Sequence, residues 1–284
     1  MTAGDRAVVL LQNVNRLDIA LNFAINVAAA LFVFLVGVFW NRIPKSWRDF
    51  RMRQFWGKDL FGGGFAVCHG TLQIDRFWNK PPGLVGQTQA PQTISSPFVK
   101  IYRDGSVIRI SGPSENVMGD SEIRSASYLV RELSRGLKSA IEIEPDNRAF
   151  SRLNRSVVAL GSGGSNEVTR LILQEPNNNF FDFKQEGREV FIHDKNTGKK
   201  YVGFRPPMAK DYGIIVKLPN LRFPGSLFFV CAGLGDWGTS GAAWYLASNW
   251  NNLRSQFPEA FGVVVEVDIG SDESARVISQ VPAR

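Results

Sequence analysis

Cysteine and histidine are both scarce in this chain, with two of each among 284 residues. Cys68 and Cys231 lie far apart on apolar, strand-like segments, which suits reduced core thiols better than a disulfide framework. With His69 and His193 also far apart in the chain, the donor set for a zinc site is missing, and no metal is expected. No Gly-Lys-Ser/Thr tripeptide occurs, which removes a Walker A loop. The absence of a GxSxG elbow removes the usual serine hydrolase signature. Acidic residues are nearly missing from one stretch: residues 41–58 hold six cations against Asp49 alone.

What is present in abundance is one apolar run. Residues 17–40 read LDIALNFAINVAAALFVFLVGVFW, and from Phe23 to Trp40 only Asn26 is polar. About 20 apolar residues in a helix span the hydrocarbon core of a bilayer. A signal peptide would have a shorter apolar region, cations before it and a small-residue cleavage site after it. A buried core helix is the other alternative. The flank favours an anchor: Trp40, Trp47, Phe50, Phe55 and Trp56 are interleaved with Arg42, Lys45, Arg48, Arg51, Arg53 and Lys58. The expected order is a short extracytoplasmic N-terminus at 1–16, a transmembrane helix at 17–40, a basic and aromatic juxtamembrane segment at 41–60, and a cytoplasmic domain at 61–284. The positive-inside rule sets that orientation at the inner (plasma) membrane.

The charge distribution names the first partner. Of the formal net charge of +7, residues 41–58 supply +5, leaving about +2 for the rest of the chain. The basic excess therefore sits where anionic lipid is expected, against residues 42–58. With no second basic stripe and no RNA-binding aromatic motif, nucleic acid is not an expected partner. Asn22, Asn26 and the Ala28–Ala30 patch suit helix packing in lipid, and hence self-association.

Beyond the flank, short apolar strands alternate with helices. Strands are expected at 65–68, 140–143, 156–160, 211–218, 227–231 and 261–268, with a hairpin around Asp104-Gly105 and a β-meander over 180–204. A helix opening over Gly119 to Glu122, with Asp120 or Ser121 as its N-cap, places Ile123, Ala126, Val130, Leu133 and Leu137 at near-helical spacing. Further helices follow Asn166 and Thr239, and residues 76–97 read as a long surface loop. The fold class is α/β: a three-layer Rossmann-like sandwich with a mostly parallel sheet, its antiparallel hairpin and meander at the sheet edge, preceded by one N-terminal transmembrane helix.

In such sheets ligands bind outside the carboxyl ends of the strands. Four loops are expected there: His69-Gly70-Thr71, Asp120-Ser121, the run containing Gly161, Gly163, Gly164, Ser165 and Asn166, and the run containing Gly233, Gly235, Asp236, Gly238 and Thr239. Helix N-termini in these loops suit an anion such as phosphate. Gly233, Gly235 and Gly238 spell GxGxxG, which reads either as a nucleotide-binding turn or as a tight turn that permits close packing. His69, Asp120 and Glu122 are the candidate catalytic groups. His69 reads equally as a structural residue, and the carboxylates as helix caps.

The runs DYGIIVKLPN (211–220) and FFVCAGLGDWGTSGAAWYLAS (228–248), with Gly119-Asp120 and the 159–169 ALGxxxSNxxT pattern, resemble an uncharacterised bacterial sensor-type domain family carried on membrane helices. More loosely, the Gly-rich loops are similar to the SLOG and TIR-like nucleotide-recognising folds. The Lonely Guy phosphoribohydrolases within the SLOG group carry PGGxGTxxE. Here Gly238-Thr239 is kept and Ala242 stands where the catalytic glutamate would be. The resemblance implies sensing of a nucleotide or small phosphorylated metabolite, with signalling through self-association or an unknown partner. The alternative is an N-glycosidic-bond hydrolase acting on a nucleotide or NAD. No cofactor is implied beyond a nucleotide ligand.

Overall fold

The structure is a computed structural model that describes residues 25–36, 47–71, 99–102, 107–110, 118–135, 141–203 and 210–283, the two segments near residue 100 as backbone only. The chain divides into two units, 1–50 and 51–284. In the first, residues 25–36 are helical, with Phe32, Val33 and Phe34 about two-thirds exposed. Among the described residues, no helix is long and apolar enough to cross a membrane. The remainder of the expected span, 17–24 and 37–40, lies outside the described residues, as does the loop expected at 76–97.

The second unit is built on a seven-stranded sheet. Its strands are β1 (Ala66–His69), β4 (Glu142–Pro145), β5 (Val157–Leu160), β9 (Lys210–Pro219), β10 (Leu227–Gly233), β11 (Phe261–Asp268) and β12 (Ser271–Pro282), in the order β12-β11-β9-β10-β5-β1-β4. β4, β1, β5 and β10 pair in parallel, whereas β9 and β12 run against their neighbours. Five of the seven strands thus point one way; of the two reversed strands, β9 is internal and β12 forms one edge of the sheet. β2 (Val99–Tyr102) and β3 (Val107–Ile110) form the expected hairpin, and β6 (Phe181–Glu186), β7 (Glu189–Asp194) and β8 (Lys200–Val202) form the meander. Neither joins the edge of the main sheet, contrary to expectation; each is a sheet of its own.

Side-chain alternation along the strands creates two cores, one on each face. Val67, Val158, Ile215, Phe229 and Val263 meet α1 (Asp120–Ser134) and α4 (Asp236–Gln256). Ala66, Val157, Ile214, Phe228 and Val264 meet α2 (Asp146–Phe150), α3 (Glu167–Leu173) and the meander. The three-layer α/β architecture is therefore present. Cys68 and Cys231 face opposite cores, so they are separated by the sheet itself, and both are buried free thiols.

Three local expectations are corrected. Phe55 and Trp56 do not face a headgroup layer. Both are fully buried under the sheet, with their ring centroids 4.9 Å apart, and Trp56 lies 5.0 Å from Phe229. Residues 51–60 thus belong to the folded unit, and a domain start at 61 cuts through its core. In α1, Ala126 and Leu133 are buried as expected, but Ile123 is half exposed while Glu122, Ser125 and Leu129 are buried, so the inward face is turned partly away from the apolar pattern. The reason is polar: Glu122 is buried because its carboxylate accepts hydrogen bonds from two backbone amides. Finally, the N-cap of α1 is Gly119, with Asp120 the first helical residue.

Candidate functional site

The sheet's carboxyl edge collects the loops singled out above, and in or next to each one a carboxylate of the chain itself accepts from at least one backbone amide. Glu122 is the first. Its Oε1 accepts from Gly70 N at 2.9 Å and its Oε2 from Gly119 N at 3.0 Å. Gly70 packs so tightly against the loop after β5 that a Cβ there would lie 2.3 Å from Ser165 O. At Gly161, φ is +90° and a Cβ would lie 3.2 Å from Glu122 Oε1. Burial pushes the Glu122 carboxyl above the usual range, against the opposing pull of the two amides and of His69. His69 is itself buried, with Nδ1 2.9 Å from Gly70 O.

Asp146 was not singled out from the sequence and ties three elements together. Its Oδ1 accepts from Thr71 N, from the Thr71 hydroxyl and from Asn147 N, and its Oδ2 accepts from Glu167 N at 2.8 Å. Asn166 caps α3: its Oδ1 accepts from Thr169 N, and its Nδ2 donates to Leu160 O and Cys68 O. Gly163 packs on the Arg170 backbone, while Gly164 and Ser165 face outward.

The Gly233–Thr239 turn follows the same rule with Asp211, also missed by sequence reading. Asp211 Oδ2 accepts from Gly238 N at 2.7 Å, and its Oδ1 from Gly235 N at 3.2 Å and Tyr212 N at 2.8 Å. Burial raises the Asp211 carboxyl above its ordinary range despite these amides. A Cβ at Gly238 would meet Tyr212 O at 2.2 Å, and one at Gly233 would meet Thr239 N at 2.3 Å. Thr239 Oγ1 accepts from Gly233 N and donates to Gly235 O. The glycines are there for backbone contact, and the anion site of the α4 N-terminus is filled internally. No local signal exposes Asp211, because Gly235 and Gly238 reach it from the cap and first turn of α4, more than 20 residues along the chain. No known protein family, curated protein or solved structure matches the chain.

The two clusters are joined. Ser121 Oγ donates to Asp236 Oδ1 at 3.2 Å, and the Arg124 guanidinium stacks 4.3 Å over the Trp237 ring while binding Asp120, Asp272 and Ser240. Asp120 is mostly exposed, so of the candidate catalytic groups it alone meets solvent freely. Among the described residues, no group of three His, Cys, Asp or Glu side chains is placed to hold a metal.

Among the described residues, a cleft lies beside this edge. The cleft, of about 660 Å³, runs between the meander, at Arg188, Glu189, Val190 and Val202, and the Gly-rich turn, at Leu234, Asp236 and Trp237. Ile269 closes one end. Its size falls in the range of small-molecule sites, about 300–1,000 Å³. Its chemistry is mixed: an aliphatic rim, one indole, one guanidinium and carboxylates.

Proposed function

We propose that this chain is a ligand-sensing domain carried on a membrane-spanning helix, and that the cleft beside Trp237 holds its ligand, a nucleotide or similar phosphorylated metabolite. The supporting observation is the cleft itself, open at the carboxyl edge where α/β sheets place their ligands. Val190, Val202, Leu234 and Ile269 suit a planar base, and Arg188 suits its phosphate. The α4 N-terminus does not serve as the phosphate cradle in this reading, since Asp211 already fills it. Binding is favoured over hydrolysis because both oxygens of Glu122 are engaged by backbone amides.

The tether rests on the uncharged run from Phe23 to Trp40 and on the exposed apolar helix at 25–36. Alkaline carbonate extraction of the full-length chain tests it: retention in the pellet supports a span, and release removes it. Thermal shift against a nucleotide panel tests the cleft. A ligand at 100 times its dissociation constant adds about 2.7 kcal/mol of stability. That gain is expected to vanish in Arg188→Glu. No stabilisation by any nucleotide, or an equal gain in the variant, overturns the assignment.

A further inference from the structure

At the opposite edge, where the parallel strands begin, the chain presents apolar side chains on a loop built to hold them outward. Asn220 is buried, and its Nδ2 donates to Leu153 O at 2.7 Å. Its Oδ1 accepts from Arg222 N at 3.1 Å and Phe223 N at 3.2 Å, and Ser226 N closes the turn on Phe223 O. The loop 220–226 is thus fixed, yet Leu221 is 54 % and Phe223 43 % exposed, with Phe150 close by at 45 %. Arg222 stands between them, mostly exposed, with Glu175 3.9 Å away. Lys58, from the basic segment that follows the apolar run, reaches this loop directly: its Nζ donates to Pro224 O at 3.3 Å.

Rigid exposed Leu and Phe flanking arginine is the composition of an interfacial anchor, in which rings and aliphatic chains enter the headgroup boundary and cations meet anionic lipid. The carboxyl edge differs: Asp120 and Asp236 are exposed there. We propose that the 220–226 loop, with Lys58 and Phe150, is a membrane-docking surface that seats the sheet's amino edge on an anionic bilayer and turns the ligand cleft away from it. The occupant is chosen by charge and by continuity with the basic segment leading from the proposed span, so this inference rests in part on that reading.

The unit 51–284 carries both cores and suffices for the test. Its co-sedimentation is compared on vesicles of phosphatidylcholine alone and with added phosphatidylglycerol. The fragment is expected to bind the anionic vesicles, less so at high salt. Arg222→Glu is expected to lower partitioning at least fivefold, the equivalent of about 1 kcal/mol per cation. The double variant Leu221→Ser with Phe223→Ser is expected to lower it further. Unchanged melting temperatures show that these exposed substitutions leave the fold intact. A fragment that stays in the supernatant with anionic vesicles, or variants that bind like the parent, overturns the proposal. Carbonate extraction of the full-length chain reads the span separately, so failure of the docking surface and failure of the tether are told apart.

Discussion

Gly238 N donates to Asp211 Oδ2 at 2.7 Å, so the first turn of α4 receives its negative charge from the neighbouring strand β9. The same carboxylate also receives Gly235 N and Tyr212 N. A sequence that spells GxGxxG therefore supplies its own anion where a dinucleotide fold would take a pyrophosphate.

Asp211→Ala is expected to destabilise the protein by about 3 kcal/mol, since buried amide donors lose their acceptor. It also vacates the helix N-terminus. Sulfate is then expected to raise the melting temperature of the variant more than that of the parent. Differential scanning calorimetry at matched ionic strength measures both effects. An equal sulfate response in the two proteins contradicts the filled-cradle account.

Glu122 gives a pH dependence. Its folded carboxyl titrates above the unfolded one because burial disfavours the charge. The folded state thus keeps the proton to higher pH, and the contribution is fully present below the unfolded value. It is lost as pH rises through the raised one. Glu122→Gln is expected to flatten stability against pH across the carboxylate range, while costing about 1–2 kcal/mol at acid pH because its amide group faces a backbone donor. Urea midpoints between acid and neutral pH test this.

Lys217 carries the opposite sign. It is buried on β9 with its Nζ 4.8 Å from the Phe55 ring centroid and 3.4 Å from Pro258 O, and burial lowers its pKa to about 8. The unfolded chain binds that proton up to about pH 10.4, so stability is expected to rise between the folded and unfolded values. Lys217→Met removes the rise and is expected to stabilise the protein at pH 7 by about 1–3 kcal/mol. Denaturant titrations at pH 7 and 9.5 give the comparison.

The start of the folded unit is testable by truncation. A chain beginning at residue 51 is expected to melt cooperatively, whereas one beginning at 61 lacks Met52, Phe55, Trp56 and Leu60, all buried. Trp56→Ala alone is expected to cost about 3–5 kcal/mol. Circular dichroism melts of the three proteins distinguish these outcomes.

The elements legible beforehand are those with a strong local pattern. α3 begins at Glu167 as expected because Asn166 is a capping residue followed by Val168, Ile172 and Leu173 on one face. β12 was missed because SDESARVISQVP is an edge strand whose outward positions are polar and whose inward ones are few, chiefly Asp272 and Ala275. Of the turns at the carboxyl edge, the glycines, Asn166 and Glu122 were legible, whereas Asp146 and Asp211 were not. Glycines and caps announce a strand-to-helix turn locally, whereas Asp146 and Asp211 acquire their meaning from amides on other elements.

By itself, the sequence determined the alternation of strands and helices, the isolated thiols and the single apolar run, because periodicity and composition act over neighbouring residues. Tertiary structure alone decided that Phe55 and Trp56 are core and that carboxylates fill the helix N-termini. It also decided where a cleft opens between the meander and the Gly-rich turn. Those outcomes depend on which donors and rings the fold brings within a few ångströms, a distance that spacing along the chain does not encode.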